Sequence, residues 1–239
     1  MRGKLADRVL VWSADVFRVM NSNDIQFIAT STNAGYFANV GSTRRQGLDL
    51  SLGGKAAALT WRLAYSYVQA TFESGFEVSA ESNSTADADG NIVVRPGDRL
   101  PLVPLHTGRL VLGYQITPAL EVGGNLAVVS GSYLHGNENN ANQAGATNGE
   151  GQYIQGSGWI PGYAVVNLQG TWHVNHHLDV FARVVNLFDR QYATGGFLTT
   201  NTFTPGGSFR PDPDTWTNEN AVSPGAPLGV WGGVRLTFD

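Results

Sequence analysis

The stretch VFARVVNLFDRQYATGG, residues 180–196, carries the clearest structural signal in this chain. Every second residue from 178 to 184 is apolar or small, and Asp179 and Arg183 stand between them. Such alternation predicts a β-strand with one apolar and one polar face. The run continues into NLFDRQY, residues 186–192, and we expect one long strand over 177–193.

The composition favours a β-rich chain with few charges. Charged residues make up 14% of the 239 residues, against about 25% in ordinary soluble domains. The net charge of −4 is mild, so no surface for nucleic acid is expected. Because there is no cysteine, disulfides and thiolate zinc sites are excluded. No run approaches the roughly 18 apolar residues of a membrane helix, whereas a membrane β-barrel needs only alternating strands.

Nine strand-like segments are recognisable, and the connections between them are of two kinds. Short turns rich in Gly, Asn and Pro are expected at 21–23, 53–55, 117–119 and 175–176. The other connections are long and polar, apart from a short one around 31–35. The predicted strands cover 8–20, 24–30, 36–52, 58–73, 106–117, 119–134, 162–173, 177–193 and 228–238, and the long connections cover 74–105, 135–161 and 194–227.

Loop length is the strongest argument about the kind of sheet. Long structureless loops count against a compact soluble domain. They are typical of an outer-membrane barrel, which has short periplasmic turns and long extracellular loops. The alternation by itself would fit a soluble β-sandwich equally well. The sequence therefore favours a membrane barrel on its loops rather than on its strands.

Seven segments form an ordered set of motifs. NLFDRQY is joined by YFANVGSTRRQGLDL at 36–50, in which Asp49 stands where a glutamate is usual in the family below. The other segments are DIQFI at 24–28, YSYVQATF at 65–72, LPLVPLH at 100–106, IPGY at 160–163 and SPGAP at 223–227. In their order along the chain, these segments resemble the C-terminal part of the barrel of TonB-dependent outer-membrane receptors, and the resemblance covers essentially the whole chain.

The resemblance implies an all-β fold, an antiparallel transmembrane β-barrel segment of about nine long strands with short periplasmic turns and long extracellular loops. Nine is an odd number, whereas bacterial single-chain barrels are even, and unpaired edges are not tolerated in lipid. We therefore expect residues 1–239 to be a single partial domain that lacks the plug and the first part of the barrel. Counting back from a periplasmic Asp239 places Met1 at an extracellular loop.

The resemblance also implies a function. We expect part of an outer-membrane receptor and transporter of a Gram-negative bacterium, for TonB-dependent uptake of a scarce ligand such as a ferric siderophore or a similar chelate. Its partners would be outer-membrane lipid, the TonB system through the missing plug, and the small ligand, with no cofactor. Without the plug, we expect no energised transport by this chain alone. A passive porin-like channel and a soluble β-sandwich binding module are the alternatives, and the ligand itself is not indicated.

Candidate chemical groups in the sequence have simpler explanations. No Gly-x-Ser-x-Gly elbow precedes a helix, so we expect no enzyme. The histidines at 173, 176 and 177 lie in a tight turn with no carboxylate spaced to complete a metal site, which favours solvated turn residues. The stretch DADGN at 87–91 lacks the glutamate that ends a calcium loop and predicts an Asp-Gly turn.

The predicted extracellular loops hold the side chains that could contact a ligand. Aromatic rings and arginines there could stack on or pair with a chelate. The alternative is that these side chains pack the loops against one another. The candidates are His135, Trp159, Phe203, Phe209, Arg210 and Trp216, together with the Asn-rich run 137–142.

Overall fold

The computed structural model describes residues 2–5, 10–29 and 35–238, which form strands and one short 3-10 helix. In chain order the elements are β1 (Arg2–Leu5), β2 (Leu10–Asn21), β3 (Ile25–Ala29), β4 (Gly35–Asn39), β5 (Thr43–Ala56), β6 (Leu59–Phe72), β7 (Phe76–Ser79), β8 (Asn91–Val94), β9 (His106–Thr117), β10 (Leu120–Val129), β11 (Ser132–Tyr133), β12 (Trp159–Ile160), β13 (Tyr163–Asn175), β14 (Leu178–Val185), β15 (Ala193–Asn201), η1 (Pro213–Thr215), β16 (Thr217–Pro224) and β17 (Gly229–Leu236). No helix in these ranges is long and apolar enough to cross a membrane.

Nine strands form one antiparallel sheet in the order β1-β2-β5-β6-β9-β10-β13-β14-β17. The sheet is open, since β1 and β17 are its two edges. The remaining strands pair as four separate ladders, β3–β4, β7–β8, β11–β12 and β15–β16. The all-β antiparallel prediction is therefore confirmed. A sandwich would need a second sheet packed face to face, which the described residues do not show.

The strand register carries apolar side chains straight across the large sheet. One row runs through Leu52, Leu63, Leu110, Leu126 and Val166, each paired with the next. Because side chains alternate between the two faces of a strand, one row of this kind places a whole apolar face on one side of the sheet. This apolar face is the one that the sequence alternation predicted.

The opposite face is polar and is connected by hydrogen bonds between neighbouring strands. The Ser66 hydroxyl donates to Asp49 Oδ1 at 2.5 Å, and Asn167 Nδ2 donates to Asn125 Oδ1 at 2.9 Å. Such cross-strand pairs stabilise the register of neighbouring strands. The sheet is thus a wall with one apolar and one polar side.

The connections of the large sheet differ sharply between its two ends. At one end β5–β6, β9–β10 and β13–β14 are joined by two residues each, at 57–58, 118–119 and 176–177. At the other end the connections are long, and we call residues 22–42, 73–105, 130–162 and 186–228 the loop layer. The prediction that loop lengths sort by side is confirmed for this sheet.

The predicted strand 24–30 is not part of the large sheet. Residues 25–29 form β3, which pairs only with β4, while β2 pairs directly with β5. The reason is burial, since Ile28 and Val40 are 0% and 1% exposed in a hydrophobic cluster of the loop layer. The segment 21–23 therefore lies at the long-loop end, and β2 runs in the opposite direction to the prediction. Met1, residues 31–34 and Asp239 lie outside the described residues.

Several predicted strand ends are also wrong. Gly53 to Lys55 continue β5, and the turn follows at Ala57, whose φ is +52°. The predicted strand 36–52 is divided at Gly41, where φ is +76°. The predicted strand 119–134 ends at Val129 in the large sheet. The strands that cross the sheet are therefore shorter or shifted by a few residues, while their faces are as predicted.

The NLFDRQY run is a turn and not the end of a strand. Strand β14 ends at Val185, and Asn186 and Asp189 both have positive φ, +51° and +47°. The buried Asn186 amide donates to the carbonyls of Arg190 and Ala226, both at 2.9 Å. The Leu228 N–H donates to Asp189 Oδ1 at 3.0 Å. Asn and Asp tolerate a left-handed backbone, and their side chains form hydrogen bonds with nearby peptide groups. They therefore favour this turn over an extended strand.

Candidate ligand site in the loop layer

The hydrophobic core of the described chain lies in the loop layer. Phe72, at the loop end of β6, is 1% exposed and packs edge-on against Phe76 with ring centroids 5.1 Å apart. The cluster around it consists of Ile28, Val40, Ala70, Val78, Ala80, Ala86, Ile92, Val94 and Leu100. The long loops are consequently packed together and provide a fixed surface for a ligand.

Buried asparagines connect different loops to one another. Asn83, fully buried in loop 73–105, donates from Nδ2 to the Gly136 carbonyl at 2.8 Å. Asn142 accepts from the Ser84 N–H at 2.9 Å and donates to the Gly156 carbonyl at 2.8 Å. Amides that replace water for buried peptide groups in this way hold irregular backbone in place. Asn142, in the Asn-rich run 137–142, is therefore engaged in contacts between and within loops.

A cleft of about 840 Å³ opens between three of the loops. Its floor is organised by Asn218, which is 4% exposed and accepts from the hydroxyls of Thr200 at 2.9 Å and Ser82 at 3.1 Å. Asn218 Nδ2 also donates to Gln152 Oε1 at 2.7 Å. The full lining is Glu81, Gly151, Gln152, Tyr153, Thr200, Thr202, Pro213, Asp214, Trp216, Thr217 and Asn218.

Four of the predicted ligand contacts lie together at the tip of the β15–β16 hairpin. Phe203 and Phe209 face each other edge-on at 6.1 Å and are half exposed. Arg210 Nη1 donates to the Thr215 carbonyl at 2.7 Å, and Trp216 Nε1 donates to the Arg210 carbonyl at 2.9 Å. The arginine therefore fixes the tip, while the two phenylalanines and the indole stay available at the surface.

The other two predicted contacts lie elsewhere in the loop layer. His135 is held between Phe27, at a ring distance of 5.6 Å, and the Glu138 carboxylate, at 3.4 Å. Trp159 packs edge-on against Tyr133 at 4.9 Å. A Cβ at Gly131 would lie 2.4 Å from the Trp159 ring, so only glycine allows this approach. Both rings are occupied mainly by packing within the loop layer.

The loop layer concentrates the negative charge of the chain. Its segments hold thirteen of the nineteen acidic residues and four of the fifteen basic ones, a net charge of −9, which leaves +5 for the other residues. Beside the cleft, partial burial and then the carboxylates of Glu81 and Asp87 raise the pKa of the Glu150 carboxyl. An electric field of one sign over a recess attracts counter-charged solutes.

The two motifs with a metal-site alternative are held by contacts within the chain, and His173 lies in β13 and not in the turn at 176–177 as predicted. His173 Nδ1 lies 2.7 Å from Asp179 Oδ1, and His177 Nδ1 lies 3.2 Å from the Thr237 carbonyl. Asp87 Oδ1 accepts from the N–H groups of Asp89 and Asn91, both at 2.9 Å, as in an Asp-Gly turn. Within the described ranges, no group of three or more His, Cys, Asp or Glu side chains could hold a metal ion.

Of the predicted contacts, only Trp216 lines the cleft, and the sequence did not point to its other lining residues. Asn218, Thr200 and Gln152 are ordinary polar loop residues and carry no motif. They come together because β15 and β16 pair over their whole length and carry Thr200 and Asn218 as register partners. Residues 193–201 and 217–224 show no regular alternation of apolar and polar side chains, so no local pattern indicates this hairpin inside the predicted long loop.

The sequence of the chain is similar to those of known proteins. A family model described as TonB dependent receptor-like, beta-barrel, matches residues 3–187. The catecholate siderophore receptor Fiu of Escherichia coli K12 is 25% identical over 191 residues, which are 79% of this chain and 21% of that receptor. The metal-pseudopaline receptor CntO of Pseudomonas aeruginosa is 29% identical over 171 residues, 69% of this chain and 19% of that receptor.

Solved structures show the same fold. The ferric yersiniabactin uptake receptor FyuA from Yersinia pestis superimposes with a TM-score of 0.63 and 16% identity. The match covers 100% of this chain and 29% of FyuA. This chain spans about a fifth of the length of the curated relatives it matches. These relatives are named as receptors and not as enzymes.

Proposed function

Because the chain belongs to the TonB-dependent receptor-like β-barrel family, we propose that it forms part of the wall and the outer loops of a receptor for a ferric siderophore or a similar metal chelate. The family implies a location in the outer membrane of a Gram-negative bacterium. In this proposal the apolar face of the large sheet contacts lipid, the polar face lines the barrel, and the loop layer faces the medium. The chain would be one partial domain and not an enzyme.

The observation that carries the proposal is the contrast between the two ends of one open sheet. One end closes in two-residue turns, and the other carries packed loops with a cleft between them. Short turns on one side and long loops on the other are the pattern of outer-membrane barrels. The names of the relatives, which refer to siderophores and to metal-pseudopaline, support a chelate as the ligand.

Ligand contacts are proposed at the loop surface. Phe203, Phe209 and Trp216 offer exposed rings on one hairpin, and Arg210 holds their loop in shape. His135 and Trp159 would contribute from a neighbouring ladder. Aromatic rings bind flat or weakly hydrated chelate surfaces well, because burial of apolar area is favourable and little side-chain entropy is lost.

Energised uptake is proposed to need more than this sheet. An open sheet encloses no channel, and unpaired edge strands are costly in lipid. We expect the TonB system to act through a plug domain as in the family, so the 239 residues alone would not transport.

Uptake of radio-iron in a strain without its native receptors tests this function. The gene at its genomic length should restore uptake of at least one ferric chelate, and deletion of TonB should abolish it. The 239 residues expressed alone should not restore uptake. Uptake that is independent of TonB and extends to unrelated small solutes would favour a passive channel instead.

A further inference from the structure

The cleft under η1 combines aromatic rings with carboxylates and contains no lysine or arginine among its described lining residues. Tyr153 and Trp216 are its exposed rings, and Glu81 and Asp214 are its charged side chains. Resting on the function proposed above, we infer that this cleft binds the ligand and that the ligand is a cationic chelate, with a protonated amine or similar group, in preference to an anionic one.

The surroundings of the cleft reinforce its negative character. Glu150 is not a lining residue, but its carboxylate accepts from Nε2 of the lining residue Gln152 at 2.9 Å. Arg210 lies close to the cleft, since its Nη1 donates to the hydroxyl of the lining residue Thr217 at 3.1 Å. The same hydroxyl donates to Glu219, so the arginine charge is offset where it approaches the cleft.

The shape of the cleft suits a small chelate. A volume of about 840 Å³ falls within the usual range of roughly 300–1,000 Å³ for ligand pockets. The floor around Asn218 is already satisfied by Thr200, Ser82 and Gln152. The polar floor is therefore preorganised, and the aromatic rings and carboxylates of the lining are the groups that would select the ligand. A cation is attracted both by carboxylates and by the faces of aromatic rings.

A charge series of one chelate tests the inference. The probes are a linear ferric tris-hydroxamate with a terminal ammonium, its N-acetyl form, which is neutral, and its N-succinyl form, which is anionic. Dissociation constants are measured by calorimetry on the purified protein in detergent at physiological salt. We expect the ammonium form to bind about three- to tenfold more tightly than the neutral form, and the anionic form to bind most weakly.

Two charge-matched variants locate the effect. Glu81→Gln with Asp214→Asn should reduce the ratio between the ammonium and neutral forms to about one, while the neutral form keeps its affinity and so reports an intact fold. Glu77→Gln with Asp89→Asn removes the same charge from exposed side chains of loop 73–105 that do not line the cleft, and should preserve the ratio.

The outcomes separate the two proposals. Tighter binding of the anionic form, or a charge preference that survives Glu81→Gln with Asp214→Asn, overturns the inference and leaves the receptor function standing. Failure of all three forms to bind, together with failure of radio-iron uptake from any chelate, contradicts the receptor function and the inference with it.

Discussion

In the loop layer, Ile28, Ile92 and Leu134 are at most 1% exposed, whereas Val16 and Val230 on the large sheet are 84% and 69% exposed. Both regions are rich in apolar side chains, but most of the described apolar side chains that are buried within the chain lie in the loop layer. The loops therefore pack like a globular unit in water, whereas the apolar face of the sheet is not covered by the chain itself. An apolar sheet face of this extent needs lipid or another protein to cover it.

The polar groups of the two regions differ in the same way. On the sheet, backbone groups are paired by the strand ladders, and side-chain pairs such as Ser66 with Asp49 lie at an exposed surface. In the loop layer, irregular backbone is paired by buried amides such as Asn83 and Asn186. Replacing a side chain should thus reduce stability by very different amounts in the two regions.

The largest expected effect comes from the loop core. Phe72→Ala should destabilise the loop layer by about 3–5 kcal/mol, because a buried ring is replaced by a cavity. Hydrogen exchange of the β7 and β8 amides measures this loss. Phe188→Ala, at a 74% exposed position of the same layer, is the control and should leave exchange unchanged. Equal effects of the two substitutions would show that the loop core is not packed as described.

A charge on either face of β9 distinguishes lipid from water. Leu112→Arg on the apolar face should destabilise the membrane-inserted protein by about 2–4 kcal/mol, because a charge in the middle of the lipid is costly. Val111→Arg, one residue away on the polar face, should cost less than about 1 kcal/mol. Urea unfolding in lipid vesicles measures both. The reverse order would contradict the assignment of the two faces.

The hydrogen bonds of Asn218 under the cleft should contribute less to stability than the hydrophobic core. Asn218→Ala leaves the partners at Thr200, Ser82 and Gln152 without their bonds and should cost about 1–3 kcal/mol. Protease resistance of the β15–β16 hairpin in detergent reports the change. Asn175→Ala, at the exposed end of β13 beside the turn 176–177, is the matched control. Unchanged resistance in the Asn218 variant would show that these hydrogen bonds do not stabilise the hairpin.

The smallest effect is a pH dependence at Glu150. Since the pKa of this carboxyl is raised in the folded protein, folding favours its protonated form. The associated stability is fully present below about pH 4 and is lost as the pH rises through the raised pKa. Hydrogen exchange of residues 145–155 should therefore slow slightly as the pH falls, after correction for the intrinsic rate. Glu150→Gln should abolish this dependence, and its persistence in the variant would assign it to another group.

The sequence predicted the faces of the strands better than their ends. Alternation in residues 59–67 and 110–116 is regular, because one face of the sheet is apolar and the other is polar, and β6 and β9 follow it there. Ends are set by single residues with unusual backbone, such as Gly41, Ala57 and Asn186. Their positive φ depends on contacts formed only in the folded chain.

The site was predictable only as a region. Loop length and composition indicated the correct part of the chain, and aromatic residues indicated Phe203, Phe209 and Trp216 as exposed candidates. The cleft itself depends on long-range contacts, such as Ser82 with Asn218. No local pattern encodes the meeting of residues that are so far apart in the sequence.

Exposure to lipid at neighbouring positions of one strand tests the central claim most directly. The chain has no cysteine, so Leu63→Cys on the apolar face and Ala64→Cys on the polar face can each carry a single fluorophore. In vesicles with brominated acyl chains, we predict strong quenching at position 63 and little at position 64. Equal quenching at both positions, or stronger quenching at position 64, would contradict the account of a wall with one face toward lipid.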